Sequence, residues 1–344
     1  MSSYRKNSLF IILICLLLLM FFFNTWLGSI KISLSEYFSA LSPGNSEPSG
    51  IKTILLQFRI PKAITGVFTG MALSISGLQM QTIFRNPLAG PYVLGISSGA
   101  SFGVALLIMG LSFFSIPAGT SLVTNWSIAL FAWAGAGSIL FIILMVSARI
   151  KDIMTILILG ILFGSAISAV VTILQYFSNA EMLKSYMIWT MGNLGNTTGN
   201  QLNILILGTS VGGVMAFFSS KMLNVLLLGE NYAKSMGLNI GKSRVIIFIS
   251  TSLLAGTVTA FCGPIGFIGI AVPHVARNIF RTENHQILIP ASGIIGSIVL
   301  LASDLIAQLP GFDQSLPINS VTALLGIPII IWVIVKNLKI SVVS

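Results

Sequence analysis

The chain has 344 residues, of which 55% are hydrophobic and only 8% charged, against about 25% charged in an ordinary soluble domain. That excludes a soluble domain and points to an all-α polytopic membrane protein, because a spanning helix needs about 20 mostly apolar residues and the chain has many such runs. The runs are continuous, which disfavours a β-barrel, whose strands alternate over about ten residues.

The first apolar run, Leu9 to Phe23, follows Arg5 and Lys6 and resembles a secretory signal. Asn24-Thr-Trp26 follows it in place of a small-residue cleavage site, so the run reads as an uncleaved first helix, about 8–27, with Trp26 at the interface. An exterior loop of about thirty residues leads to a second span, about 60–83, which ends in the polar break Arg85-Asn-Pro-Leu-Ala-Gly-Pro91. Further spans are expected at about 92–111, 126–148 and 153–177. The segment from Asn179 to Gln201 is too polar to span, although Ile188-Trp-Thr-Met191 suits the interface. Spans follow at about 202–220, 244–262, 265–280 (short, opening in Gly263-Pro-Ile-Gly266), 286–308 and 319–336, making about ten in a single transmembrane domain over residues 1–344. With the N-terminus in the cytoplasm, both termini are cytoplasmic. The exterior side then holds Lys31, Lys52, Arg59, Lys62 and Lys184, 5 of the 18 basic residues, and the cytoplasmic side the other 13. The net charge of +10 is therefore a topology signal, and nucleic acid falls away as a partner.

Charge gathers in the cytoplasmic loop from Leu226 to Arg244, which carries Glu230, Lys234, Lys242 and Arg244. Gly229 and Gly237 bracket a piece, Glu230 to Met236, long enough for two helical turns. Glu230 and Lys234 stand at i,i+4 in the order that favours an ion pair, and Gly237 suits a helix end. Two readings stand: a docking helix on the cytoplasmic face, or a solvated loop with a capped turn. Gly237-Leu-Asn-Ile-Gly-Lys-Ser243 imitates a phosphate-binding loop, but it has three residues between the glycines where that motif needs four, and no strand precedes it. If ATP is used, another polypeptide binds it.

Within the spans, Gly66, Gly70, Ser74 and Gly77 form one small-residue stripe and Gly160, Gly164, Ser168 and Thr172 another. Such stripes let helix backbones approach closely; the second is also a candidate to line a pathway. Asn86–Ala100 and Gly263–Arg277 place Pro and Gly near a helix start in comparable positions of two halves, a hint of an internal repeat. Asp304 is the only clear acid inside a span, near its exterior end, where capping or local pairing is expected. A carrier driven by an ion gradient usually needs acids near the midplane, so the driving energy is expected from outside the bundle. Arg59 and Lys62 flank Pro61 at the outer mouth of the second span; they either snorkel to headgroups or meet an acidic soluble partner. His274, at a helix end, and His285, expected in a loop, have no third ligand or nucleophile at useful spacing, and Cys15 and Cys262 lie in apolar runs. No metal site, disulfide framework or catalytic constellation is visible, so the chain reads as a transport subunit that binds no cofactor of its own.

These motifs accumulate in order. Arg59-Ile-Pro-Lys62, Gly70-Met-Ala-Leu-Ser-Ile-Ser-Gly77 with Gln81, Arg85-Asn-Pro-Leu-Ala-Gly-Pro91 and Leu94-Gly-Ile-Ser-Ser-Gly-Ala100 come first. Trp189-Thr-Met-Gly192, Leu228-Gly229 with Ala233 and Gly237, Gly263-Pro-Ile-Gly-Phe-Ile-Gly269, Pro273-His-Val-Ala-Arg277, Asp304 and Leu316-Pro317 follow. Together, over about 26–336, they resemble the FecCD-type permeases of ABC importers for iron-siderophore, haem or cobalamin. The resemblance implies the type II importer architecture, with ten helices per subunit and a second permease subunit, copy or relative, around a central pathway in the bacterial inner membrane. It implies two cytoplasmic ABC ATPase subunits that use ATP and magnesium, and an extracytoplasmic substrate-binding protein. It also implies that Leu228, Gly229, Glu230, Ala233, Lys234 and Gly237 dock into the ATPase, that Arg59 and Lys62 face acids on the binding protein, and that Gly160, Gly164 and Ser168 line the pathway. The segment near Trp189 is similar to the family's exterior gate.

The chain departs from the pattern in three places. Gln308 stands where the family commonly has Arg four residues after the Asp, and Ser315-Leu-Pro-Ile-Asn319 where it commonly has Glu-x-Pro-x-Gly. Lys62 is a point charge where an Arg fork is frequent. All three lie on the exterior side and bear on partner contacts there. An ion-gradient-driven secondary transporter is the alternative class.

Overall fold

The computed structural model describes residues 3–42, 50–110, 123–150, 152–197, 199–308 and 315–341. Among them it is all helical, with no strand. The elements are α1 (Ser3–Trp26), α2 (Leu34–Leu41), α3 (Gly50–Thr53), α4 (Ile60–Ile83), α5 (Ile96–Ile108), α6 (Asn125–Arg149), α7 (Ile153–Phe177), α8 (Ala180–Thr190), α9 (Asn200–Phe218), α10 (Ser220–Leu227), α11 (Glu230–Ser235), α12 (Ile240–Cys262), α13 (Ile268–Phe280), α14 (His285–Ala307) and α15 (Ile318–Ser341). Each of the ten expected spans coincides with a helix, and seven of these helices are long and apolar enough to cross a membrane unaided.

The outer parts of the chain are more structured than their composition suggests. A π-helical turn over Ile54–Arg59 joins α3 to α4, so that one helix of 34 residues runs from Gly50 to Ile83. At 1.5 Å per residue it is about 51 Å long and outreaches a hydrocarbon core of about 30 Å. The expected exterior loop also holds α2, closed by a capping box between Ser33 and Glu36. The polar segment after Asn179 folds as α8, with the Asn179 side chain accepting from the amide of Met182.

Helices α4, α12 and α14 form the buried centre, while α1 and α7 leave most of their surface uncovered. The most extensive packing is between α4 and α14. A Cβ on Gly70 would fall 2.3 Å from the carbonyl oxygen of Gly296, and a Cβ on Gly296 2.3 Å from that of Gly70. The Ser297 hydroxyl donates across the same contact to Val67 O at 2.6 Å. In lipid, where burying apolar surface adds little between helices, such backbone contact and interhelical hydrogen bonding hold helices together. Gly77 meets Gly269 of α13 in the same way, and Gly99 of α5 meets Gly135 of α6.

The two Gly/Pro interruptions adjoin. Tyr92, in the short 3-10 turn Pro91–Leu94 before α5, accepts through Oη from the amide of Ile265 at 3.3 Å. The amide of Gly266 donates to Asn319 Oδ1 at 3.0 Å. Irregular backbone at this depth is tolerated only when protein groups satisfy it, and here side chains do so.

Replacing Gly70 by Leu is expected to force α4 from α14 and cost at least about 3 kcal/mol, the range of overpacked cores. Ala at Gly137, which faces open space, serves as the neutral control. Thermal melting of the detergent-purified protein reads both; equal melting temperatures would contradict the packing.

Candidate functional site

The charged loop is built from α10, α11 and the start of α12. Gly229 precedes α11 at φ +115° and Gly237 follows it at φ +83°, conformations that glycine adopts without strain. Ala233 is buried, and the amide of Leu238 donates back to its carbonyl at 3.0 Å, closing the helix end. Asn239 then caps α12 through the amide of Lys242. The pseudo-phosphate loop is thus a helix cap, with Gly241 and Lys242 in the first turn of α12.

Glu230 ion-pairs with Arg244 of α12, not with Lys234 as the i,i+4 spacing suggested. Arg244 is buried and Lys234 exposed, and a buried guanidinium leaves a carboxylate more to gain than a solvated ammonium does. Nearby, Asp152 caps α7, accepting from Thr155 and Met154. Hydrogen bonds from the Thr155 side chain and backbone hold its carboxyl below the usual carboxylate range.

The outer face of this unit is apolar and uncovered: Leu228 is 63%, Tyr232 54% and Met236 57% exposed. Beside it lies a groove of about 530 Å³ lined by Arg85, Ile153, Met154, Leu228, Gly229, Glu230, Asn231 and Tyr232. Tyr232, Met236 and Arg85 did not stand out as site residues in the sequence. The aromatic and the thioether beside a charged turn are ordinary in composition, and only the fold puts them on one face.

At the outer mouth, Arg59 and Lys62 take different roles. Arg59 is 9% exposed. Its guanidinium turns inward to donate to Thr25 O, Trp26 O and Ile30 O, capping the C-terminal end of α1 and the loop after it. In this arrangement Arg59 is committed to the fold, because three carbonyls left over by the helix end take its donors. Lys62 is partly exposed and lies 2.9 Å from Asp304. Asp304 pairs locally, as expected of it: its other oxygen accepts from Asn24 at 3.1 Å and from Gln308 at 2.6 Å. Gln308, the departure from the family pattern, therefore belongs to this cluster. Lys62, Asp304, Gln308, Ser315 and Gly192 line an outward cavity of about 200 Å³.

The stripe on α7 divides. A Cβ on Gly160 would lie 2.4 Å from Val93 O, and one on Gly164 3.1 Å from Ser98 Oγ. Gly160 is buried and seats α7 against the turn before α5; Ser168 is exposed. His274 donates from Nε2 to Pro87 O at 2.8 Å. His285, expected in a loop, is the first residue of α14 and fully buried. Among the described residues no cluster suited to a metal ion exists.

An all-helical bundle held by backbone contacts, with broken helices at depth and a short charged helix presented on one face, defines a permease of the ABC-importer type. The chain matches the FecCD transport family over residues 16–336 and belongs to that family. It is 33% identical over 301 residues to the vitamin B12 import system permease protein BtuC of Salmonella arizonae, covering 87% of this chain and 88% of that one. It is also 33% identical over 311 residues to BtuC of Klebsiella pneumoniae, covering 90% and 91%. Among solved structures it resembles an inward-facing putative metal-chelate type ABC transporter, with a TM-score of 0.82 and 27% identity over 96% of this chain and 99% of that one. PsaBC from Streptococcus pneumoniae shares the fold more loosely, at TM-score 0.54 and 15% identity over 81% and 92%.

Arg59→Ala is expected to cost about 2–3 kcal/mol, since it removes charge-assisted hydrogen bonds from a buried site, whereas Ala at exposed Lys31 costs nothing measurable. Melting of the two purified variants checks this, and an unshifted curve for Arg59→Ala would mean that the residue is not held by the α1 end.

Proposed function

We propose that this chain is the membrane-spanning subunit of an ATP-driven importer that carries a metal chelate, either a corrin such as cobalamin or a ferric siderophore or haem, into the cytoplasm. The observation that carries the reading is α11: a helix held rigidly between α10 and α12, with Leu228, Tyr232 and Met236 uncovered on its outer side. Large exposed apolar residues beside a charged rim mark a protein contact, and a contact on the cytoplasmic loop suits an ATPase subunit. Two ATPase subunits, a second permease subunit around a shared pathway and an extracytoplasmic binding protein complete the assembly, in the inner membrane with both termini inside. This chain carries out no chemistry; ATP and magnesium belong to the ATPases. The relatives' names support cobalamin as one candidate cargo, with a ferric siderophore or haem as the alternatives.

Lys62 is the basic group at the outer mouth that remains accessible to an acidic binding protein, and Leu228, Gly229, Glu230, Lys234 and Gly237 form the ATPase contact on a helix that buried Ala233 seats. The secondary-transporter reading is disfavoured by the acids. Asp304 is the single carboxylate in the described spanning helices, and it sits at the outer end, occupied by Lys62, Asn24 and Gln308. No described carboxylate lies at the midplane to bind a coupling ion.

Uptake of labelled cobalamin, ferric siderophores and haem, in cells with and without this chain, tests the cargo. Loss of one cargo that persists when proton and sodium gradients are collapsed but ATP is kept is the expected result; uptake that fails with the gradient would restore the secondary transporter. Val at Gly229 or Gly237 brings strain of about 1–3 kcal/mol at a positive φ and is expected to lower uptake while leaving the ATPase's own hydrolysis in place. Uptake at the wild-type rate in both variants would remove the loop from the coupling site. Lys62→Glu is expected to weaken binding-protein docking most at low salt; an unchanged affinity there would free Lys62 of that role.

A further inference from the structure

The charged loop is fastened to the helical bundle by a polar relay that runs from half-buried Asn224 to buried His285 and Thr82. Asn224 lies on α10, two turns before α11. Its Oδ1 accepts from the backbone amide of His285 at 2.8 Å and faces His285 Nδ1 at 2.8 Å, while its Nδ2 donates to Asn284 Oδ1, the cap of α14, at 2.9 Å. An amide oxygen only accepts, so the proton sits on Nδ1 and Nε2 is left as an acceptor. Nε2 lies 2.7 Å from the hydroxyl of Thr82, on the last turn of α4. His285 and Thr82 are both buried. Three residues further along, Arg85 reaches from just past the end of α4 to Leu226 O at 2.9 Å, capping α10 shortly before Gly229. The piece that leads into α11 is therefore bonded at one place to α14 and, directly and through His285, to α4.

Those two helices are the pair in backbone contact at Gly70 and Gly296. At their far end they are joined again by Lys62 of α4 and Asp304 of α14. From Thr82 back to Lys62 is 20 residues, about 30 Å of helix, the thickness of the hydrocarbon core. Backbone contact of this kind ties the two helices closely, because a well-packed contact transmits strain.

We propose that His285, with Asn224 and Thr82, is the positioning relay that transmits movement of the cytoplasmic loop into the α4–α14 pair and so to the outer mouth. The inference rests on the importer reading. A polar cluster of this kind is kept whole because loss of one partner strands the others in a low-dielectric site. Here the cluster joins the moving part to the part that must move.

The test uses the full complex of this chain with its co-purified ATPase, reconstituted in liposomes with binding protein and the cargo identified by uptake. Thr82→Val is nearly isosteric and removes only the hydroxyl; Asn224→Leu removes the amide. The control is Thr251→Val, which breaks a comparable buried bond, from Thr251 to Gln79 at 2.9 Å, away from the loop. Both relay variants are expected to lower cargo moved per ATP hydrolysed by about tenfold, within the range that substitutions in coupling networks give. Basal hydrolysis and ATPase association persist in them, and the control keeps its ratio whatever its melting temperature. Relay variants with the wild-type ratio, or a control that falls equally, would overturn the relay. A wild-type complex that binds no ATPase would overturn the importer reading itself, and is recognised before any variant is made.

Discussion

The rest of the structure depends on the meeting of two glycines inside the membrane. Gly70 and Gly296 bring the backbones of α4 and α14 into contact, and no other side chain fits there. In hydrocarbon, two apolar helices have little reason to prefer each other over lipid. Close backbone contact supplies dispersion over many atoms and lets the Ser297 hydroxyl reach a carbonyl of the other helix. The same device at Gly77–Gly269 and Gly99–Gly135 extends the body to α13, α5 and α6. The bundle is a packed frame, and its two functional ends are placed by that frame.

Those ends differ in chemistry. The inner end presents Leu228, Tyr232 and Met236 on a helix whose glycines and buried Ala233 fix its entry and exit. The outer end concentrates charge in one cluster of Lys62, Asp304, Asn24 and Gln308. A buried ion pair is weak evidence for stability, and this one lines a cavity of about 200 Å³. Arg59, one turn away, is used up by the end of α1. One basic residue at the mouth is thus structural and the other open to contact, although they stand three positions apart in sequence.

Much of this was legible in the sequence. Hydropathy located the helices, because each span must satisfy its backbone internally and so must be long and apolar. The glycines around 229–237 announced a short helix, since positive φ was needed on both sides. What the sequence could not show was which partner each charge takes. Glu230 chose Arg244, fourteen positions on, over Lys234, four positions on, because burial decides the strength of a pair and burial is a property of the fold. Arg59 looked like Lys62 for the same reason. The small stripe on α7 carried two meanings that spacing alone does not separate, and the structure uses Gly160 for packing. His285 seemed a loop residue because its neighbours Thr282-Glu-Asn284 are polar; in the fold they are the cap of α14.

The account stands on α4 and α14 moving as one body. A Cβ on Gly293 of α14 would lie 3.1 Å from Met71 Cγ of α4, close enough for a disulfide. Met71→Cys with Gly293→Cys, in a chain with Cys15 and Cys262 replaced by Ser, tests it. The measurement is ATP-driven uptake in liposomes before oxidation, after it, and after reduction. Uptake that is the same in all three states, with the cross-link shown to be complete, is what a rigid pair predicts. Uptake that stops on oxidation and returns on reduction would show that the two helices slide past each other, and would contradict the account.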